Sequence, residues 1–148
     1  MQREKTKDID QLNSFLRGEI SAVETYRQAL DKLDQTSQAR AQLEACRSSH
    51  QQRVQMLRQA IQQRGGQPSE GSGAWGSFAK AVEGGAKAFG EKAAIYALEE
   101  GEDHGLRDYK QDLDKLDPET RQLVAGQLLP QQEETHRTLS RLKKTLPS

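Results

Sequence analysis

The chain has one cysteine, Cys46, so no disulfide closes within it, and a reducing, cytoplasmic setting is the expectation. It also lacks an excess of either charge: 22 lysines and arginines stand against 22 aspartates and glutamates, with the signs interspersed. Without a basic block or interleaved aromatic and basic residues, no nucleic-acid surface is expected. No hydrophobic run approaches the length that spans a bilayer, and the opening MQREKTKDIDQ has none of the apolar character of a cleaved signal peptide, so no membrane partner is expected. Hydrophobic residues reach only 33% while charged ones reach 30%, a balance that suits long helices burying one narrow stripe. Disorder has a similar composition, but the regular apolar spacing along most of the chain argues against it.

That spacing predicts four main helices in a single domain spanning residues 1–148. The first, over about 9–34, carries the stripe Leu12, Leu16, Glu19, Val23, Tyr26, Leu30, Leu33, advancing by three or four residues each time. A second, over 37–64, has Thr36 or Ser37 as cap, the stripe Ala39, Leu43, Cys46, His50, Val54, Leu57, Ile61, and Gly65–Gly66 as its stop. The stretch 65–91 is a crossover, with a loop GGQPSEGSG followed by a short amphipathic piece in which Trp75, Phe78 and Val82 cover an end of the core. The third helix, over 92–116, has the stripe Ile95, Glu99, Glu102, Leu106, Tyr109, Leu113, Leu116. Asp117 caps a fourth, over 118–144, with Pro118 at its first position and Pro130 set to bend it or open its hydrogen-bond ladder. Short turns within each pair and a long excursion between pairs describe an all-α antiparallel four-helix bundle with a crossover.

The two halves repeat. YRQALDKLD at Tyr26–Asp34 and YKQDLDKLD at Tyr109–Asp117 agree in seven of nine letters, and the 83-residue offset also pairs Glu19 with Glu102. Each glutamate precedes its tyrosine by seven residues, two helical turns, so both lie on a face that is otherwise apolar. A carboxylate there needs a partner, since burying it unpaired is expensive. His50 on the second helix and the i,i+3 pair Glu133–His136 on the fourth supply imidazole and carboxylate from the remaining helices. Glu19, His50, Glu102, Glu133 and His136 are the candidate metal ligands, a set that suits iron or manganese. The alternative is a hydrogen-bonded polar core layer, with arginines as partners of the glutamates. His104, two residues past Glu102, is expected on the surface, and Glu24, Glu44 and Glu134 off the inward positions.

These residues resemble the ferritin-like four-helix proteins of the bacterioferritin and rubrerythrin type. LNSFLRGEISAVETY (Leu12–Tyr26) is similar to their first ligand helix, with Glu19 at the terminal ligand position. Glu102 with Tyr109 takes the corresponding place on the third helix, and EETH (Glu133–His136) resembles the Glu-x-x-His of the fourth. The second-helix counterpart is RSSH, where Arg47 stands in place of a bridging glutamate. The crossover resembles more closely a family of small bacterial ferritin-like domains of unknown function. The resemblance implies iron handling with oxygen- or peroxide-linked oxidation, ferroxidase-like if enzymatic, with Tyr26 and Tyr109 bonding the ligand carboxylates. Arg47 leaves three outcomes: one metal, a second metal recruited by Glu99, or Arg47 paired with Glu19 or Glu133 in a salt-bridged layer. Neither haem nor nucleotide is expected, and a side-by-side homodimer suits such a bundle.

Overall fold

A computed structural model describes residues 2–33, 35–71, 90–111 and 113–145, with side chains from residue 7 onward. Trp75, Phe78 and Val82, expected to cover an end of the core, lie outside the described residues. The described chain is all-α: α1 (Gln2–Lys32), α2 (Arg40–Gln63), α3 (Glu91–Gln111), a 3₁₀ turn (Leu113–Lys115), α4 (Pro118–Leu123), a π-helical turn (Val124–Leu128) and α5 (Leu129–Thr145). None of the described helices is long and apolar enough to cross a membrane.

Helix boundaries follow local chemistry. α1 begins earlier than the apolar stripe predicts and ends at Lys32, where Arg40 donates to the terminal carbonyls of Leu30 (2.8 Å) and Leu33 (3.3 Å). α2 starts at Arg40 rather than at 37, because Ser37 takes the Ala39 N–H on its hydroxyl oxygen and donates to Glu91 at the head of α3. At the far end Gly65 adopts φ +79°, and the Gly66 and Gly65 amides return to the carbonyls of Ile61 and Gln62. This is a Schellman termination, available to Gly65 because it has no Cβ. α3 ends at Gln111 instead of 116. Pro118 disfavours helical backbone at Asp117, whose ψ is 161° and whose side chain caps Thr120 N at 2.8 Å.

Pro130 acts as expected, though upstream of its own position. Its missing N–H leaves the preceding ladder incomplete, and the chain widens into the π turn, with the Leu129 amide bonding the carbonyl of Val124. α4, the π turn and α5 run without a break and stand for the fourth helix of the sequence pattern.

Two hydrophobic clusters form opposite ends of the bundle. One gathers Leu30, Leu33, Leu43, Ile95, Leu98, Leu139 and Leu142; the other gathers Leu12, Leu16, Leu57, Ile61, Tyr109, Val124 and Leu128. The late part of α1 therefore meets the early part of α3, and the early part of α2 meets the late part of α5, so both pairs are antiparallel. Asp8, buried on α1, accepts from Asp117 N at 3.1 Å and ties this end to the α3–α4 turn. Beyond α2 the chain is laid along α1: Asn13 bonds Gln67 O and Ser69 N, and Arg17 bonds Ser69.

Between the clusters lies a polar layer, and one glycine lets two helices close on it. A Cβ on Gly105 would sit 2.8 Å from Gln132 Nε2, whereas one on Gly126 would meet nothing. Gly105→Ala is expected to lower the unfolding free energy by about 1–3 kcal/mol through overpacking. Gly126→Ala should raise it by roughly 0.5–1 kcal/mol through lost chain entropy. Urea denaturation of the two variants checks the pair.

Candidate functional site

Glu19, His50 and Glu102 come together as the stripes predict, carried by α1, α2 and α3, and are 4%, 2% and 3% exposed. His50 is the hub. Its Nδ1 lies 2.7 Å from Glu19 Oε2 and its Nε2 lies 2.6 Å from Glu102 Oε2. Ionised carboxylates accept only, so with both acids charged each ring nitrogen donates and the ring is an imidazolium. The repeated tyrosines bond crosswise: Tyr26 donates to Glu102 (2.6 Å) and Tyr109 to Glu19 (2.9 Å), so each half of the chain satisfies the acid of the other.

The fourth helix contributes different residues from those the sequence pattern suggested. Gln132 and Thr135 point inward, not Glu133 and His136. Gln132 Nε2 donates to Glu102 Oε1 (3.0 Å) and to its backbone carbonyl (2.9 Å), and Thr135 donates to Glu102 Oε1 at 2.6 Å. His136 Nε2 instead meets the exposed Asp103 at 2.6 Å, and Glu133 is half-buried beside the inward pair. The placement follows the apolar ladder Leu128, Leu139, Leu142. Counting back by four and by seven from Leu139 gives 135 and 132, so the Leu ladder is a better guide to the inward face than the EETH letters.

A second correction concerns arginine. Arg47, expected beside the acids, makes no hydrogen bond or ion pair with Glu19 or Glu133, and its Nε is buried without a partner. Arg53, one turn past His50, is the cation of the layer and is 0% exposed. Its guanidinium reaches Glu19 Oε1 (3.4 Å), Gln132 Oε1, Thr135 Oγ1 (3.1 Å) and Ser49 Oγ (3.2 Å). The sequence signal was its i,i+3 spacing from His50 next to Val54 on the stripe. Glu99 lies off the centre and pairs with Lys143 at 3.4 Å, and His104 is on the surface near Asp108 as expected.

Two carboxylates thus face two cations, and the charges cancel within the layer. Burial pushes Glu102 upward, but His50 and the hydrogen bonds outweigh it and hold the carboxyl at about 2. Glu19 also lies below its ordinary value, since Arg53 and His50 overcome its burial. Burial pushes His50 downward, but Glu102 and Glu19 raise it overall. Burial, then the adjoining carboxylates, push Tyr26 and Tyr109 well above 10, and burial raises Cys46 to about 12, so all three keep their protons at ordinary pH.

The donor geometry fits a proton network and does not fit iron or manganese. Both ring nitrogens of His50 are engaged by carboxylates on opposite edges of the ring, which leaves no imidazole lone pair for a metal in this arrangement. Arg53 already supplies a cation, and α5 presents a neutral amide and a hydroxyl in place of Glu and His. Among the described residues no group of three or more His, Cys, Asp or Glu is arranged to hold a metal ion.

The family described as "Domain of unknown function (DUF2383)" matches residues 7–115, which take in most of α1, all of α2 and α3, and six members of the layer: Glu19, Tyr26, His50, Arg53, Glu102 and Tyr109. The chain belongs to that family. No curated protein and no solved structure matches it. In this DUF2383 chain Gln132 and Thr135 lie beyond the matched span.

The shifts fix the pH dependence of stability. The lowered Glu19 and Glu102 contribute stability above the ordinary carboxylate value of 4.5, lost as pH falls through their folded values, which for Glu102 is about 2. The raised His50 contributes stability that is complete below 6.5 and lost as pH rises through its folded value. The contribution of the layer should therefore be greatest between these limits. In thermal melts across pH, His50→Gln is expected to flatten the alkaline limb and Glu102→Gln the acid one.

Proposed function

We propose that this chain is a ferritin-like bundle in which a salt-bridged polar layer stands where a metal centre would be, and that it works as a non-enzymatic helical protein through its surface. The observation that carries this reading is Arg53, fully buried with its guanidinium bonded to side chains of three helices. An internal cation of this kind balances the carboxylates permanently, as a bound metal would do reversibly. The antiparallel pairing and the inward acids on α1 and α3 support the ferritin-like assignment.

A surface function has room on the described face. A concavity of about 620 Å³ lies between α2 and α5, lined by hydrogen-bonding side chains such as Gln42, Gln52, Gln131 and Thr138 together with the charged Glu134 and Arg141. Ser49 and Thr135, which hold Arg53 from inside, are also part of its wall. Its amides, hydroxyls and the Glu134 and Arg141 charges can bond polar groups of a partner.

Elemental analysis after loading with ferrous iron or manganese under nitrogen tests the reading. Metal well below one per chain, unchanged in Glu102→Gln, is the expected result. Iron or manganese near one or two per chain, lost in that variant, would restore a carboxylate–histidine metal centre. In urea denaturation Arg53→Met should cost about 3–5 kcal/mol, because it leaves a buried charge unpaired.

A further inference from the structure

Asp8 lies about three helical turns before Glu19 on α1, outside the polar layer, and it is an acid buried without a cation. It is 3% exposed, and among the described residues no lysine, arginine or histidine pairs with it. Its partners belong to the α3–α4 turn. Oδ2 accepts the Asp117 amide at 3.1 Å, and the carboxyl also bonds the Asp117 carboxyl and the Thr120 hydroxyl. Ionised carboxylates accept only, so two carboxyls bond each other with a hydrogen between them. One of the two acids therefore keeps its proton.

The surroundings decide which one. Asp117 Oδ1 caps Thr120 N at 2.8 Å, and Arg64, whose Nε donates to Thr120 Oγ1 at 3.1 Å, stabilises the Asp117 charge. Burial, then the Asp117 carboxyl, push Asp8 above its ordinary 3.8. Hydrogen bonds from Asp8 and Thr120, with Arg64 beside them, hold Asp117 below that value. The other charges at the junction are Lys7 of α1 and Lys115 of the 3₁₀ turn, which with Asp8 line a concavity of about 190 Å³. Through it the proton exchanges with solvent.

From this arrangement we propose that Asp8 and Asp117 share one proton and form a clasp between the start of α1 and the α3–α4 turn, tight in acid and looser as pH rises. The sign follows from the two acids separately. Asp8 contributes stability that is complete below 3.8 and lost as pH rises through its folded value. Asp117 contributes above 3.8 and loses its share only as pH falls through its own folded value. With both ionised, like charges meet where the proton was, and the Asp117 amide bond across the junction weakens.

Carbon-13 NMR of the side-chain carboxyls, followed from acid to neutral pH on the full chain, reads the two acids separately. Asp8 is expected to titrate above 3.8 and Asp117 below it. Hydrogen exchange of the Asp117 amide reads the clasp. Its opening should increase by up to about tenfold per pH unit between 3.8 and the folded value of Asp8, then level off, as release of one proton requires. Asp8→Asn imitates the protonated acid, since its amide donates to the Asp117 carboxylate and its oxygen accepts the Asp117 N–H, and it cannot titrate. That variant should lose the pH dependence and exchange more slowly than wild type at neutral pH, whereas Asp8→Ala should exchange fast throughout. An Asp8 that titrates at or below 3.8, a wild-type opening that does not follow pH, or faster exchange in Asp8→Asn than in wild type at neutral pH would each overturn the clasp.

Discussion

The imidazolium of His50, held between Glu19 and Glu102, is the interaction on which the rest of the centre depends. Each carboxylate is buried in a helical bundle where an unpaired charge would neutralise or unfold the layer. One ring joins the two acids, and so joins α1 and α3 through α2. Arg53 supplies the second positive charge and extends the connection to α5. With either cation absent the layer holds a net negative charge on side chains that are almost wholly buried.

The layer also constrains how the two hairpins meet. Apolar contacts at the two ends tolerate some sliding, because leucines on neighbouring turns can exchange partners. The polar centre does not tolerate it: an axial slip of one helix by a turn would strand a carboxylate or the guanidinium. The crosswise tyrosine bonds make the same demand twice, since Tyr26 must find Glu102 while Tyr109 finds Glu19. An apolar layer of equal volume can match or exceed the stability of buried ion pairs, so register is the property for which the charges are suited.

Much of this was legible in the sequence, and the failures have physical causes. The stripes of α1 to α3 and the internal repeat placed Glu19, His50, Glu102 and both tyrosines inside. The Asp117–Pro118 cap and the glycine stop of α2 followed from residue type alone. Arg53 was missed because an arginine next to Val54 on a polar helix is ordinarily solvated, and only the acids of two other helices make burial tolerable. Glu133–His136 misled because the letters fit a ligand motif, whereas inward position on α5 is set by the leucine ladder. The end of α3 was overrun because the apolar spacing continues through Leu116 while Pro118 dictates the backbone before it. No letter in the chain announces the cavity of about 50 Å³ between α1 and α3, which Gly18 and Ala22 of one helix and Gly101 and Gly105 of the other help to line.

The protonation of His50 tests the central claim most directly. Nitrogen-15 NMR of the selectively labelled histidines at pH 6 reads the state of each ring nitrogen. The account predicts that both nitrogens of His50 carry hydrogens, as an imidazolium donating to two carboxylates must. A neutral ring with one bare nitrogen at that pH would contradict it, because a free lone pair at the hub would leave the acids unbalanced and reopen the centre to a metal.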